Sequence, residues 1–498
     1  MTSKRYQDWD PTQSYLLPPS PLEWLPQGHL AFFILDVVAD LDLSPIERAI
    51  QGKDLRGQRP YDPRMMTGLM LYAYCVGVFS SRRIERATFE DVAFRVLAAG
   101  QHPHFTTVNN FRLQHRAGLA SLFEQVLKLC RKAGLLKVGR VALDGTKVHA
   151  NASKHKAMSY ERMGTEEVRL KGEIEALLAK ADETDAREDD HFGKDQAALD
   201  IPAELHRREA RLEKIRWAKA ALEAEAKKTR AAQLLDNAAG QREISRDETV
   251  DADERRRAGA RADRSEQAAK ELASKDDDND DEPPTSGGAP AADLPKHRVP
   301  ATPDGTPKPK AQRNFTDPDS RIMIKDGAFV QAYNAQTVVA DDSQLIVAHA
   351  VTNQAPDVEH LEPMLERCVL QAGELPGELL ADTGYFSKAN AEGCEARNVD
   401  AYIAVNRKNR PPSRQGPKHE AWQEMHAKLM TPYGREAYAR RKSIAEPPFG
   451  QIKEARRFRR FSLRGMSKVR DEWAIVCLGH NLLKLYRALF SVPALATA

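Results

Sequence analysis

Val141–Val148, V-A-L-D-G-T-K-V, is the stretch on which the reading of this chain turns. A short apolar run of this kind reads as a strand, and it carries a carboxylate, Asp144, in its middle. Side chains alternate along a strand, so Asp144 shares a face with Ala142 and not with Leu143. A second such run, Glu378–Tyr385 (E-L-L-A-D-T-G-Y), ends in Asp382 ahead of a Gly turn. A third carboxylate, Glu446, lies in R-R-K-S-I-A-E-P-P-F-G-Q-I-K, from Arg440 to Lys453. An Asp before Gly-Thr or Thr-Gly commonly caps a turn, and a Glu among arginines commonly serves as their salt-bridge partner. Three carboxylates brought to one point by strand ends and a helix have a further capacity: their oxygens can hold two hard divalent cations. Such ions activate the attacking oxygen and stabilise the leaving oxygen of a phosphodiester. D-G-T also occurs in the phosphatase loop D-x-D-G-T, whose first Asp is a nucleophile. Ala142 stands at that position here, which excludes a phosphoaspartate.

Working outward, Ala328–Ala340 (A-F-V-Q-A-Y-N-A-Q-T-V-V-A) and Leu345–Val351 read as two strands around a D-D-S turn. His360–Ala372 has the spacing of an amphipathic helix, with Leu361, Met364, Leu365, Cys368 and Val369 on one side. The strand ending in Asp382 follows, then a helix over Lys388–Arg397 and a strand over Ala401–Val405. A helical pattern from Arg435 carries Glu446 and is expected to break at Pro447-Pro448. Trp473–Phe490 is apolar on most sides and reads as a core helix. The order of elements is that of an α/β sheet with mixed strand direction.

Upstream, residues 21–136 read as all-helical. Ala31–Val38 is expected to be a core helix, and Leu69, Tyr72, Ala73 and Val76 recur at helical spacing. In H-P-H-F-T-T-V-N-N-F-R-L-Q-H-R (His102–Arg116), Thr106 or Thr107 is a candidate N-cap. Asn109, Arg112 and His115 would then form a polar face, available to a DNA groove or simply to solvent. The first core strand, within 137–150, is separated from the remainder of the sheet (314–490) by a helical insertion, 151–275. There Leu170, Ile174, Leu177 and Ala181 form one stripe, and Leu205, Leu212, Ile215 and Leu222 form a heptad-like second, predicting an antiparallel hairpin. Residues 276–313, with D-D-D-N-D-D-E at Asp276–Glu282 and T-P-D-G-T-P-K-P-K at Thr302–Lys310, have the composition of an unfolded linker. Residues 1–20 and 491–498 read as tails.

The net charge of +3 over 498 residues says little, but its distribution says more. Ala401–Arg470 holds eighteen Lys/Arg against five Asp/Glu, an electrostatic footprint for a polyanion. The five cysteines are scattered without C-x-x-C spacing, so neither a disulfide framework nor a zinc site is expected. The N-terminus lacks the apolar core of a signal peptide, and Ala31–Val38 is too short to span a bilayer. A cytoplasmic, nucleoid-associated protein is the expectation.

At these residues the chain resembles the DDE transposases of bacterial insertion sequences. The resemblance rests on V-A-L-D-G-T-K-V-H-A-N-A-S, D-P-D-S-R, A-Y-N-A-Q, A-D-T-G-Y-F-S and E-P-P-F-G-Q-I-K, in that order. S-S-R-R-I-E-R-A and F-T-T-V-N-N-F-R match the N-terminal part of the same group, so the likeness covers most of Leu30–Leu485 outside the linker. It implies a ribonuclease-H-like catalytic core with a helical insertion after its first strand. It also implies that Asp144, Asp382 and Glu446 are the catalytic, metal-holding residues, with Mg²⁺ as the metal and Mn²⁺ able to substitute. DNA contacts are expected from Lys453, Arg441, Lys442, Tyr438, Arg456 and Arg457, and from Asn109 and Arg112 in the helical region. Lys453, seven residues after Glu446, is expected on the same helical face. In the family's third motif Tyr438 and Arg441 stand one place out of register, and Lys442 occupies the arginine position. The implied activity is binding of terminal inverted repeats, metal-dependent strand cleavage and transfer of the freed 3′-hydroxyl to target DNA, by at least a dimer. A nuclease on the same core without strand transfer, and an inactive DNA-binding derivative, are the alternatives.

Overall fold

The computed structural model describes residues 20–52, 59–192, 201–273, 294–405 and 420–490. β1 (Arg140–His149) lies at the centre of a six-stranded sheet. Val141, Ala142 and Leu143 are wholly buried, because a central strand covered on both faces has no solvent side to make polar. β2 (Ala157–Ser159) and β3 (Gln312–Asn314) form a separate antiparallel pair at the foot of the insertion. β4 (Arg321–Lys325), β5 (Ala328–Ala340) and β6 (Ile346–Thr352) build one side of the main sheet. β5 runs antiparallel beside β1, and its far edge is shared by β4 along the first half and β6 along the second. β7 (Glu378–Ala381) and β8 (Asp400–Ile403) extend the other side, both parallel to β1. The sheet is therefore mixed. β4 is a strand that the apolar-run reading passed over; Asp326-Gly327, both with positive φ, closes its tight turn onto β5.

Among the described residues seven α-helices precede the sheet: α1 (Leu30–Asp40), α2 (Ser44–Gln51), α3 (Pro63–Val76), α4 (Ser81–Glu90), α5 (Val92–Leu97), α6 (Phe105–Gln114) and α7 (Arg116–Lys132). α1 buries Leu30, Ala31, Phe33, Ile34, Val37 and Val38, as a core helix should. α6 is capped by His104, whose ring accepts from the Thr106 amide, and not by Thr106 or Thr107. In the insertion, α8 (Tyr160–Phe192), α9 (Ile201–Arg246) and α10 (Ala252–Ala273) follow one another. Glu173 meets Arg208 while Glu167 meets Lys219, and Arg242 meets Glu266 while Gly259 meets Ser245, so each neighbouring pair is antiparallel. The hairpin expected here thus gains a third helix. Leu170 packs with Leu212 and Ile215 along the first seam; the side chain of Ala181 lies outside the described residues.

The expected linker, 276–313, divides. Residues 276–293, with the acidic run, lie outside the described residues, as do the tails 1–19 and 491–498. From Leu294 onward the chain is anchored: Val299 and Ala311 pack on Leu222 and Ala226 of α9, and the His297 amide donates to Asn353 Oδ1 at 2.8 Å. A few small apolar side chains in a Pro-rich stretch suffice to fix it, so the unfolded-linker reading does not extend to 294–313.

α11 (Leu361–Ala372), α12 (Lys388–Ala396), α13 (Glu420–Met430), α14 (Pro432–Gly450) and α15 (Met466–Phe490) complete the fold. α15 packs against α3, α7 and β6, joining the helical region and the sheet in one hydrophobic core. α14 crosses the sheet and does not break at Pro447-Pro448; both prolines sit inside it. Pro447 lacks an N–H, which frees the Ser443 carbonyl, and the Gln344 amide takes up that carbonyl at 3.0 Å. A π turn over Gln451–Ala455 follows.

Candidate active site

The β1–β7 register sets the two aspartates together. Arg140, Val141, Ala142 and Leu143 align with Glu378, Leu379, Leu380 and Ala381. Asp144 and Asp382 each come one residue after the last of these pairs, and the Asp382 charge bears on Asp144. β7 ends at Ala381 while β1 continues to His149, so the sheet opens into a crevice beside Asp144. Parallel strands that end in this way present ligand crevices at their carboxyl ends. Asp382 caps the turn Thr383–Tyr385 by accepting from the Gly384 amide at 2.7 Å. A Cβ on Gly384 would stand 2.9 Å from Asp382 Oδ1, so only glycine leaves the carboxylate in place. Burial pushes Asp144 up to about 6, and Asp382 and Asp357 push the same way, against Arg441 and the Gly145 amide.

α14 supplies the roof. Arg441 Nη1 lies 3.5 Å from Asp144 Oδ2 and is itself buried without a hydrogen-bond acceptor. Tyr438 is half-buried beside Arg441 and Asp382, while Lys442 is exposed and lines a cavity of about 790 Å³ with Asp382, Gly384 and Arg435. Arg441 therefore faces the acid pair, although the motif register favours Lys442. Lys453 contacts the Thr146 hydroxyl on the Asp144 face of β1, and burial together with Lys325 lowers it to about 8. Glu446 is exposed. Five residues past Arg441 it lies about 140° further round the helix at 3.6 residues per turn. Lys453 turns to Thr146 while Glu446 is exposed, because the π turn over Gln451–Ala455 takes more residues per turn than the α-helix before it and shifts Lys453 off the expected common face. Among the described residues no three His, Cys, Asp or Glu side chains are close enough to hold one ion. Two of the three expected carboxylates are brought together, then, and the third is not.

Behind the pair lies a polar cluster that reading by strand runs missed. Asn334 and Gln336 point from β5 to Asp357, donating to its Oδ1 at 2.7 and 2.8 Å, and Lys147 approaches at 3.3 Å. Burial alone would raise Asp357, but His360, Lys147 and Asn334 hold it down to about 2. The Gln336 carbonyl accepts from the buried Tyr385 hydroxyl. Gly145 is not a turn residue: a Cβ there would sit 2.9 Å from Gln336 Cδ and closer still to its amide nitrogen. The available signal was polar Asn334-x-Gln336 inside an otherwise apolar strand.

Two family models match the chain: a Transposase DDE domain over residues 383–486 and a Transposase domain (DUF772) over residues 20–114. Each stretch is therefore similar to a domain of transposases, one near either end of the chain. The first match begins one residue after Asp382 and contains Glu446, whereas Asp144 lies outside both. No curated protein and no solved structure matches the chain.

Divalent metal ions, general in DDE transposases, call for hard oxygen donors. Asp144 and Asp382 supply donors of that kind: two neighbouring carboxylates, Asp144 half-buried.

Several residues expected to contact DNA are instead engaged within the fold. Arg112 is 6% exposed and donates to the Phe79 carbonyl at 3.0 Å and to Asn109 Oδ1 at 2.9 Å. Asn109 is half-buried against Arg112, and His115 beyond them is buried. Arg456 is also buried, donating to the carbonyls of Tyr74 and Val476, and burial lowers it to about 10. Arg457 next to it is exposed. No helix among the described residues is long and apolar enough to cross a membrane.

Proposed function

We propose that this chain is a transposase that binds the terminal inverted repeats of its own element, cuts there, and joins the freed 3′-hydroxyls to target DNA from a ribonuclease-H-like core. The observation that carries the reading is the side-by-side register of Asp144 and Asp382 at an open crevice, roofed by a basic helix. Asp144 and Asp382 would hold the metal, Mg²⁺ with Mn²⁺ able to replace it. Bound there, it supplies activation of the attacking water and charge relief on the leaving oxygen. Arg441 keeps Asp144 ionised against its burial, and Lys453 offers a cation to the phosphate at the same edge of β1. Tyr438, Lys442 and Arg457 extend that basic surface along α14 and beyond it. Glu446, exposed on α14, would be the third carboxylate. Joining two ends in one event requires at least a dimer.

Asp144→Asn is expected to abolish strand cleavage while DNA binding persists, since one lost charge weakens the metal site but not the basic surface. Retained cleavage in that variant overturns the assignment. A pre-cut donor end supplied with Mg²⁺ and target DNA separates transposase from nuclease: strand joining supports the proposal, and hydrolysis alone favours the nuclease.

A further inference from the structure

We propose that the cleft between the end of β1 and the β4–β5 hairpin binds an unpaired DNA strand leading away from the acid pair. The proposal rests on the reading of the chain as a DNA-cutting transposase and extends it to a surface no motif marks. The cleft, about 610 Å³, is lined by Lys154, His155, Lys156, Phe329, Arg460 and Arg464. Lys154, Lys156 and Arg460 are exposed, and none has an ion-pair partner among the described residues; neighbouring Arg459, by contrast, is bridged to Glu454. Backbone bonds clamp residues 459–461 to the end of β1: the His149 amide donates to the Arg459 carbonyl at 3.2 Å and Phe461 to His149 at 2.9 Å. Arg460 is thereby fixed at the mouth of the cleft.

The positive charge is continuous with the active site. Lys325, Arg460 and Lys453 all add to the burial that lowers His149, with Asp326 opposing them. Lys453 in turn contacts Thr146, two residues from Asp144. Cations crowded together in this way repel one another, and a polyanion threaded between them relieves the repulsion.

Charge alone does not account for the hairpin. Phe329 and Ile324 are directly paired in the β4–β5 register, so they share a face, and they are 61% and 64% exposed. An exposed aromatic ring at the edge of a basic groove is the arrangement on which unpaired bases stack. Duplex DNA hides its base faces and offers such a ring nothing to stack on. The occupant that fits both features is a single strand, phosphates toward Lys154, Lys156 and Arg460 and a base on Phe329.

The test uses the full-length chain without divalent metal, with labelled duplex carrying a single-stranded tail and the same duplex blunt-ended. Anisotropy is followed between about 50 and 200 mM salt. The combined variant Lys154→Ala, Lys156→Ala, Arg460→Ala should flatten the log–log salt slope for tailed DNA by about 2. Phe329→Ala should weaken tailed DNA about tenfold and leave blunt DNA unchanged. An unchanged slope, an equal loss on both DNAs in Phe329→Ala, or full competition by polyglutamate would each overturn the cleft as a strand site. Wild-type protein that cuts normally in a parallel assay with Mg²⁺ leaves the transposase reading intact. Wild-type protein that neither binds either DNA nor cuts it when Mg²⁺ is added overturns the parent reading instead.

Discussion

Gly145→Ala tests the packing that supports the acid pair. The new Cβ would meet Gln336 Cδ at 2.9 Å, inside normal contact, so the amide must retreat by about half an ångström or more. Gln336 has little room to do so. Its Nε2 donates to Asn334 Oδ1 at 3.0 Å and Asp357 Oδ1 at 2.8 Å, and its carbonyl takes the Tyr385 hydroxyl, all away from water. Overpacking of this kind costs about 1–3 kcal/mol, and losing a buried bond to a carboxylate adds about 1.5–3 kcal/mol. A local destabilisation of about 3–5 kcal/mol follows. In a Gln336→Ala background the obstruction is gone, and Gly145→Ala should cost less than about 1 kcal/mol. Hydrogen exchange of the β1 and β5 amides, read by mass spectrometry, measures the local opening free energy in all four proteins of the cycle. Equal effects of Gly145→Ala in both backgrounds would show that Gln336 is not what excludes a side chain at 145.

Arg112→Ala should lower the unfolding midpoint, by about 2–4 kcal/mol for a buried cation's lost bonds, without altering the salt slope of DNA binding. A flatter slope with an unchanged melt would return Arg112 to the DNA surface. Glu446→Gln is expected to abolish cleavage as Asp144→Asn does while leaving the melt unchanged, since the side chain is exposed; full activity would remove Glu446 from the catalytic set. Burial depresses His349 and His480 to about 3. The folded state keeps them neutral while the unfolded chain protonates near 6.5, so their contribution is full above that pH and is lost as pH falls toward 3. From pH 7 to 5 each should remove about 2 kcal/mol. Thermal melts of His349→Gln should show a shallower fall over that range, and an identical fall would refute the burial argument.

Much of this was legible along the chain, because strands and helices write their periodicity locally. A-F-V-Q-A-Y-N-A-Q-T-V-V-A became β5 residue for residue, and E-L-L-A-D became a strand with its acid at the tip. The acids themselves stood out because apolar strands rarely carry them. Local pattern failed where a partner far along the chain decided the outcome. Pro447-Pro448 reads as a break, yet Gln344 from the β5–β6 turn satisfies the freed carbonyl and the helix continues. Asn109, Arg112 and His115 read as a solvent face, yet Phe79 accepts from Arg112 and turns that face inward.

Composition and spacing by themselves determined the class of fold, the strand-borne aspartates and the basic segment, since each is written within a few turns or strand lengths. Only the tertiary structure decided which charged groups meet. The parallel register of β1 and β7 joins Asp144 to Asp382 across 238 positions of sequence, and the π turn after α14 rotates Lys453 toward Thr146 while Glu446 stays in solvent. Register and helix phase are properties of packed pairs of elements: a one-residue slip reverses a side chain's direction in a strand and turns it by about 100° in a helix, and no single segment carries that information.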